Sequence, residues 1–103
     1  NRTKASSALA KGVALFVTEY GLSEASGDGN IDMNEANLWF DFMEKNKLSN
    51  CNWSIMDKNE SSAALVPGAA ATGGWSESNL TLSGKTIRNY IRTKNSYLFE
   101  LIE

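Results

Sequence analysis

The pattern of apolar and polar positions along the chain predicts alternating helices and strands. A continuous apolar run that leads into Thr18 predicts a first strand over residues 13–18, buried on both faces. A second, shorter strand is predicted over residues 50–55. Helices are predicted over residues 5–11, 33–46 and 83–94. The order helix, strand, helix, strand, helix is typical of an α/β protein whose parallel strands are joined by crossover helices.

The predicted helices carry signals at their ends and along one face. Asp32, with Glu35 three residues later, fits a capping box. Gly12 is expected to close the first helix, and Ser83 is expected to cap the last. The apolar residues expected to face inward are Ala36, Trp39, Phe40 and Met43 in the middle helix and Ile87, Tyr90 and Ile91 in the last.

Two strands are too few for an independent parallel sheet, since both edges would expose unpaired backbone groups. A complete β/α barrel needs about 250 residues, and this chain has 103. We therefore expect the chain to be a piece of a larger fold. The irregular stretch over residues 56–82 is long, which favours a binding role for it, and Trp75 is expected to pin it.

Composition excludes several classes of function. The chain has 10 basic and 12 acidic residues and a net charge of −2, without a basic cluster, which argues against nucleic acid or an anionic membrane as partner. Histidine is absent, so a Ser-His-Asp triad and a His-ligated zinc site are excluded. The single cysteine, Cys51, cannot form an internal disulfide and is expected to be a buried small hydrophobe. Catalysis would have to use carboxylates, Lys, Tyr or this thiol.

Glu19 is the candidate catalytic residue on physical grounds. It follows the apolar run directly and stands at the C-terminal tip of the predicted first strand. Parallel α/β proteins place their chemistry at that end of the strands. The alternative is a solvated loop glutamate without a role.

Several segments resemble the C-terminal part of bacterial-type glycoside hydrolase family 5 endoglucanases. They are LFVTEYG at 15–21, CNWS at 51–54, DKNESSAAL at 57–65, PGA at 67–69 and TGGW at 72–75. The resemblance extends in order over about residues 4–94. It implies that residues 1–94 are the C-terminal segment of a (β/α)8 TIM barrel, with residues 13–18 as strand seven and 50–55 as strand eight. Residues 95–103 are then a tail of unknown role.

The resemblance also implies an activity. The parent protein would be a retaining endo-β-1,4-glucanase that hydrolyses internal bonds of cellulose-type β-glucans, with Glu19 as the nucleophile. The family's acid/base glutamate lies in an Asn-Glu-Pro motif that this chain lacks, so the N-terminal portion of the barrel must supply it. The chain alone is expected to be inactive. No cofactor or metal is implied, and the parent is expected to be secreted because the polymer cannot enter a cell.

Substrate-binding residues follow from the same resemblance. Trp53 matches a sugar platform, and an indole face suits the C–H surface of a pyranose. Lys58 and Glu60 match residues that hydrogen-bond glucose hydroxyls, and Ala25 matches a position whose backbone touches the sugar. The structural alternatives are a core tryptophan at 53 and an exposed charge pair at 58 and 60.

Two other functions remain open from the sequence. Residues 28–35 reproduce the second half of an EF-hand loop, which would start at Glu24 and end at Glu35, and this indicates a calcium-binding module. A polar loop followed by a capping box explains the same residues. The third possibility is a non-catalytic carbohydrate-binding fragment.

Overall fold

The computed structural model describes residues 1–101, with every side chain in that range except that of Phe99. Its elements are α1 (Arg2–Ala10), β1 (Val17–Tyr20), α2 (Met33–Lys45), β2 (Asn50–Asn52), a 3₁₀ turn (Glu77–Asn79), α3 (Leu82–Lys94) and α4 (Ser96–Glu100). The predicted alternation of helices and strands is confirmed, and α4 falls in the predicted tail. The chain divides into two compact units, one of residues 1–20 and 32–52, the other of residues 21–31 and the residues from Trp53 onward.

In the first unit, β1 and β2 pair in parallel, as the element order predicted. Val17 lies opposite Asn50, and Tyr20 lies opposite Asn52. The predicted bounds of both strands were wrong. Residues 13–16 lie outside β1, and the backbone N–H of Val13 instead donates to Ala8 at the end of α1, at 3.1 Å.

The second strand ends three residues earlier than predicted because its continuation bonds elsewhere. Ser54 donates its backbone N–H to Ser62, and its carbonyl accepts from Ala64 at 3.1 Å. These bonds belong to the second unit. Trp53 therefore follows the strand, although the predicted bounds of 50–55 included it.

The expectation that the first strand is buried on both faces was also wrong for the described chain. Phe16 is 55% exposed, Val13 is 50% exposed, and Thr18 and Glu19 are exposed within β1. Within residues 1–101, β1 has β2 as its only strand neighbour. Cys51 was expected to be buried but is exposed. It lies on β2, which in the described residues pairs only with β1.

Helix α2 supplies most of the core of the first unit. Asp32 caps it, since its Oδ1 accepts the backbone N–H of Glu35 at 3.0 Å. The reciprocal bond of the predicted capping box is not formed, and the Glu35 carboxylate pairs with Arg2. The buried apolar residues here are Ala36, Phe40, Met43 and Leu48. Trp39 is only partly buried, with the Arg2 guanidinium 5.4 Å from its ring centre.

The second unit packs α3 against the long irregular stretch. Its buried apolar residues are Leu22, Ala63, Leu65, Leu80, Ile87 and Tyr90. The predicted cap Ser83 was wrong, because Thr81 caps α3 by accepting from Gly84 N–H at 3.1 Å. Ile91 was expected to face inward but is 48% exposed. None of the helices described in residues 1–101 has the length and apolar character needed to cross a membrane.

Trp75 pins the long stretch as predicted. Its indole N–H donates to the Ala70 carbonyl at 2.7 Å, and its own carbonyl accepts from Arg88 of α3 at 3.4 Å. Leu65 and Leu80 form an isolated antiparallel bridge in the same region. The stretch is thus ordered by its own contacts although it contains little regular structure.

Candidate functional site

Glu19 occupies the third of the four positions of β1, and its side chain is exposed. The next residue, Tyr20, anchors the end of the strand. Its ring meets Phe40 edge-on with centroids 6.4 Å apart, and its carbonyl accepts from the Asn52 side chain at 3.1 Å. Burial, with a smaller contribution from Cys51, raises the pKa of Tyr20 to about 12, so the phenol stays neutral. Glu19 therefore extends from a strand end that is fixed by its neighbours.

In the second unit, Lys58 and Glu60 form an ion pair between Nζ and Oε2. The other carboxylate oxygen of Glu60 accepts from the Ser62 hydroxyl at 3.3 Å. The hydrogen bond and charge of Glu60 raise the pKa of Lys58. The Glu60 side chain is 14% exposed and that of Lys58 is 66% exposed. The carboxylate is thus fixed by partners while the ammonium stays in solvent, which differs from a freely exposed charge pair.

The loop of residues 21–31 holds the segment that carries Glu60. Oδ1 of Asp28 accepts from both the backbone N–H and the hydroxyl of Ser61, each at 3.0 Å. The carbonyl of Gly27 accepts from Ser62 N–H at 3.0 Å. The backbone N–H groups of Ser61 and Gly29 lower the pKa of Asp28. The sequence pattern indicated Asp28 only as part of a calcium-binding loop. Its contact with Ser61 leaves no local signal, because the bonded residues are 33 positions apart.

An open depression of about 580 Å³ borders these residues. Its wall includes Asp28, Asn30, Lys58, Asn59 and Glu60 together with the apolar side chain of Val66. Such a wall offers hydrogen-bond donors, acceptors and apolar surface side by side. This combination suits a polyhydroxylated ligand.

Trp53 and Ala25 are both exposed in the second unit. The indole of Trp53 is 48% exposed, and the peptide bond between Trp53 and Ser54 is cis. The structural alternative, in which Trp53 is a buried core residue, is therefore wrong for the described chain. Of the five predicted site residues, the structure brings Lys58 and Glu60 into direct contact, places Trp53 and Ala25 in the same unit, and places Glu19 in the first unit.

The side chains that calcium binding would require have protein partners. Asp32 caps α2, Glu35 pairs with Arg2, and Glu24 Oε1 accepts from Asn30 N–H at 3.4 Å. Within residues 1–101, no group of three or more Cys, Asp or Glu side chains is placed to hold a metal ion. The polar loop with a helix cap therefore accounts for the contacts of these residues.

Comparison with known proteins gives a consistent result. Residues 1–59 match the family described as Cellulase (glycosyl hydrolase family 5). Endoglucanase A of Evansella cellulosilytica is 48% identical over 95 residues, which are 92% of this chain and 20% of that protein. A solved structure from Cytophaga hutchinsonii is 49% identical with a TM-score of 0.92, over 96% of this chain and 32% of that one.

A third relative is the catalytic domain of a Thermobifida fusca endoglucanase, solved in complex with cellotetraose. It is 33% identical with a TM-score of 0.74, over 78% of this chain and 27% of that one. The chain spans about a fifth of the length of the curated relatives it matches.

Proposed function

The chain belongs to the cellulase family, glycosyl hydrolase family 5, and from this premise we propose that the protein carrying it is an endo-β-1,4-glucanase. The solved relatives imply a (β/α)8 barrel, of which this chain is a partial piece. In our proposal, residues 1–94 are its C-terminal segment, β1 and β2 are strands seven and eight, and residues 95–103 are a tail. The exposure of Phe16 and Val13 supports this, since a closed barrel would cover both.

Glu19 is the nucleophile in this proposal. Retaining hydrolysis uses two carboxyl groups about 5–5.5 Å apart, one on each side of the anomeric carbon. Glu19 attacks that carbon and forms a glycosyl ester, while a glutamic acid from the N-terminal portion protonates the leaving oxygen and then activates water. The observation that carries the proposal is the exposed Glu19 at the end of a parallel strand, inside the segment that matches the family.

The second unit supplies the sugar-binding residues. The half-exposed indole of Trp53 offers a flat face for a pyranose ring. Lys58 donates to sugar hydroxyls and Glu60 accepts from them, and the exposed residue Ala25 offers its backbone to the sugar. The proposed hydrolysis uses two carboxyl groups and needs no cofactor. The partners are therefore a β-1,4-glucan and the N-terminal portion of the same barrel.

Replacing Trp53 with Ala removes the stacking surface. We expect kcat/KM for cellopentaose to fall by about 5- to 150-fold, because the lost aromatic contact is worth about 1–3 kcal/mol. Trp53→Phe keeps a flat face and is expected to retain most of the activity. Steady-state kinetics of the full-length variants measure both values. An alanine variant with unchanged kcat/KM would remove Trp53 from the site.

The activity itself is tested on carboxymethylcellulose. The full-length protein is expected to lower the viscosity well before reducing ends accumulate, which distinguishes internal from terminal cleavage. Proton NMR of the first product is expected to show the β-anomer, as retention requires. The isolated 103-residue chain is expected to hydrolyse nothing because the acid/base carboxylate lies outside it. Release of reducing ends without loss of viscosity, or an α-anomer formed first, would contradict the proposal.

We also propose that the parent protein is secreted. An insoluble polymer cannot enter a cell, so the enzyme must act on it outside. Activity in the culture medium of the source organism, absent from washed and lysed cells, is the expected result. Activity confined to the cells would overturn it.

A further inference from the structure

Glu60 lies against the backbone of Gly27, where no side chain fits. A Cβ added at Gly27 would stand 2.5 Å from Oε1 of Glu60 and 3.4 Å from Oγ of Ser62. Gly27 also has φ of +89°, a conformation that glycine adopts readily. The missing side chain therefore leaves the space that the Glu60 carboxylate occupies.

The segment that carries Glu60 is fixed from two sides. On one side, Asp28 accepts both hydrogen bonds from Ser61, and Gly27 accepts from Ser62 N–H. On the other side, the buried Ser83 of α3 donates its hydroxyl to the Ser61 carbonyl at 2.6 Å. The backbone next to Glu60 is therefore held between a loop and a helix, while the carboxylate itself pairs with Lys58 and accepts from the Ser62 hydroxyl.

We infer that Gly27 and Asp28 are positioning residues that set the orientation of the Glu60 carboxylate for binding sugar hydroxyls. This inference rests on the proposed function, in which Glu60 is a sugar-binding residue. A hydroxyl donor needs its acceptor within a few tenths of an ångström of about 2.7 Å. A free glutamate side chain would lose rotamer freedom on each binding event. Gly27 leaves the space for one carboxylate position, and Asp28 holds the adjacent backbone. Lys58 and Ser62 can therefore fix Glu60 before the sugar binds. Both Gly27 and Asp28 act through Glu60 and need no contact with the sugar.

A matched pair of glycine variants separates positioning from backbone strain. Gly68 has φ of +85°, close to that of Gly27, but a Cβ there meets nothing within 4 Å. Both Gly27→Ala and Gly68→Ala therefore impose a similar backbone cost, and only the first displaces Glu60. In the full-length protein we expect Gly27→Ala to raise KM for cellopentaose about tenfold with kcat little changed, as expected when a binding contact is lost. Gly68→Ala is expected to leave KM within about twofold of wild type.

Asp28 is tested by deletion and by conservative rescue. Asp28→Ala removes the acceptor for Ser61 and is expected to raise KM about tenfold. Asp28→Asn keeps an oxygen acceptor and is expected to recover most of the affinity. In a Glu60→Ala background, neither Gly27→Ala nor Asp28→Ala should raise KM further, because the group they position is gone. A purely structural role would give additive effects instead.

The outcomes distinguish this inference from the proposal beneath it. If Glu60→Ala raises KM while Gly27→Ala and Asp28→Ala do not, the positioning role is overturned and the sugar-binding role of Glu60 stands. If Glu60→Ala itself leaves KM unchanged, the sugar-binding role of Glu60 fails and the inference fails with it. Equal effects of Gly27→Ala and Gly68→Ala would attribute the loss to backbone strain and overturn the inference.

Discussion

Replacing Glu19 with Gln in the full-length protein is expected to lower kcat by a factor on the order of 10⁴ or more. Glutamine has nearly the same shape, so the fold and the binding of substrate are retained. Its neutral amide cannot attack the anomeric carbon to form the ester on which the retaining mechanism depends. The measurement is the steady-state hydrolysis of cellopentaose, with KM expected to change little.

Asp41→Asn provides the matched control for this variant. Asp41 is an exposed carboxylate on α2, in the same unit as Glu19, and its replacement removes the same charge. We expect its kcat to equal that of the wild type within about twofold. If the Glu19→Gln variant kept more than about a tenth of wild-type kcat, Glu19 would not be the nucleophile.

Gly84→Ala is expected to destabilise the protein by about 2 kcal/mol or more. Gly84 lies in the first turn of α3, and a Cβ there would stand 2.0 Å from the carbonyl oxygen of Ala64 and 2.9 Å from its carbonyl carbon. These are backbone atoms, and the same carbonyl accepts from Thr81 N–H at 3.1 Å. Helix propensity alone predicts the opposite sign, since alanine is favoured over glycine by about 1 kcal/mol. The steric conflict is larger, so the net effect is a loss.

Gly21→Ala is the control for this stability measurement. A Cβ at Gly21 would lie 3.7 Å from the Trp53 carbonyl, which is an ordinary contact. Its free energy of unfolding in urea is expected to stay within about 1 kcal/mol of wild type. If Gly84→Ala unfolded at the same urea concentration as the wild type, the close packing of α3 on the Ala64 carbonyl would be wrong.

The parts of the fold that local signals determine were predictable from the sequence. The apolar periodicity of α2 and its cap at Asp32 both depend on residues that are close in the sequence, and both were predicted correctly. The parallel pairing of β1 and β2 followed from the order of the elements. The end of β2 was missed because Ser54 bonds to Ser62 and Ala64, which lie eight and ten positions away and leave no local pattern.

The candidate site was predictable in a different way. Composition and strand position pointed to Glu19 alone, and the roles of Trp53, Lys58, Glu60 and Ala25 came from the resemblance to the family. The close approach of Gly27 to Glu60 joins residues 33 positions apart, so no spacing rule could reveal it. The cap at Thr81 was missed for a related reason, since Ser83 is an equally good cap by residue type but its hydroxyl bonds to Ser61.

The central claim is that Glu19 forms the covalent bond to the sugar, and trapping that bond tests it most directly. A 2-deoxy-2-fluoro cellobioside with a dinitrophenyl leaving group forms the ester quickly and releases it slowly, because fluorine destabilises the oxocarbenium-like transition state of both steps while the leaving group accelerates the first. Peptide mass spectrometry of the inactivated full-length protein is predicted to find the label on Glu19. A label on any other carboxylate would contradict the account.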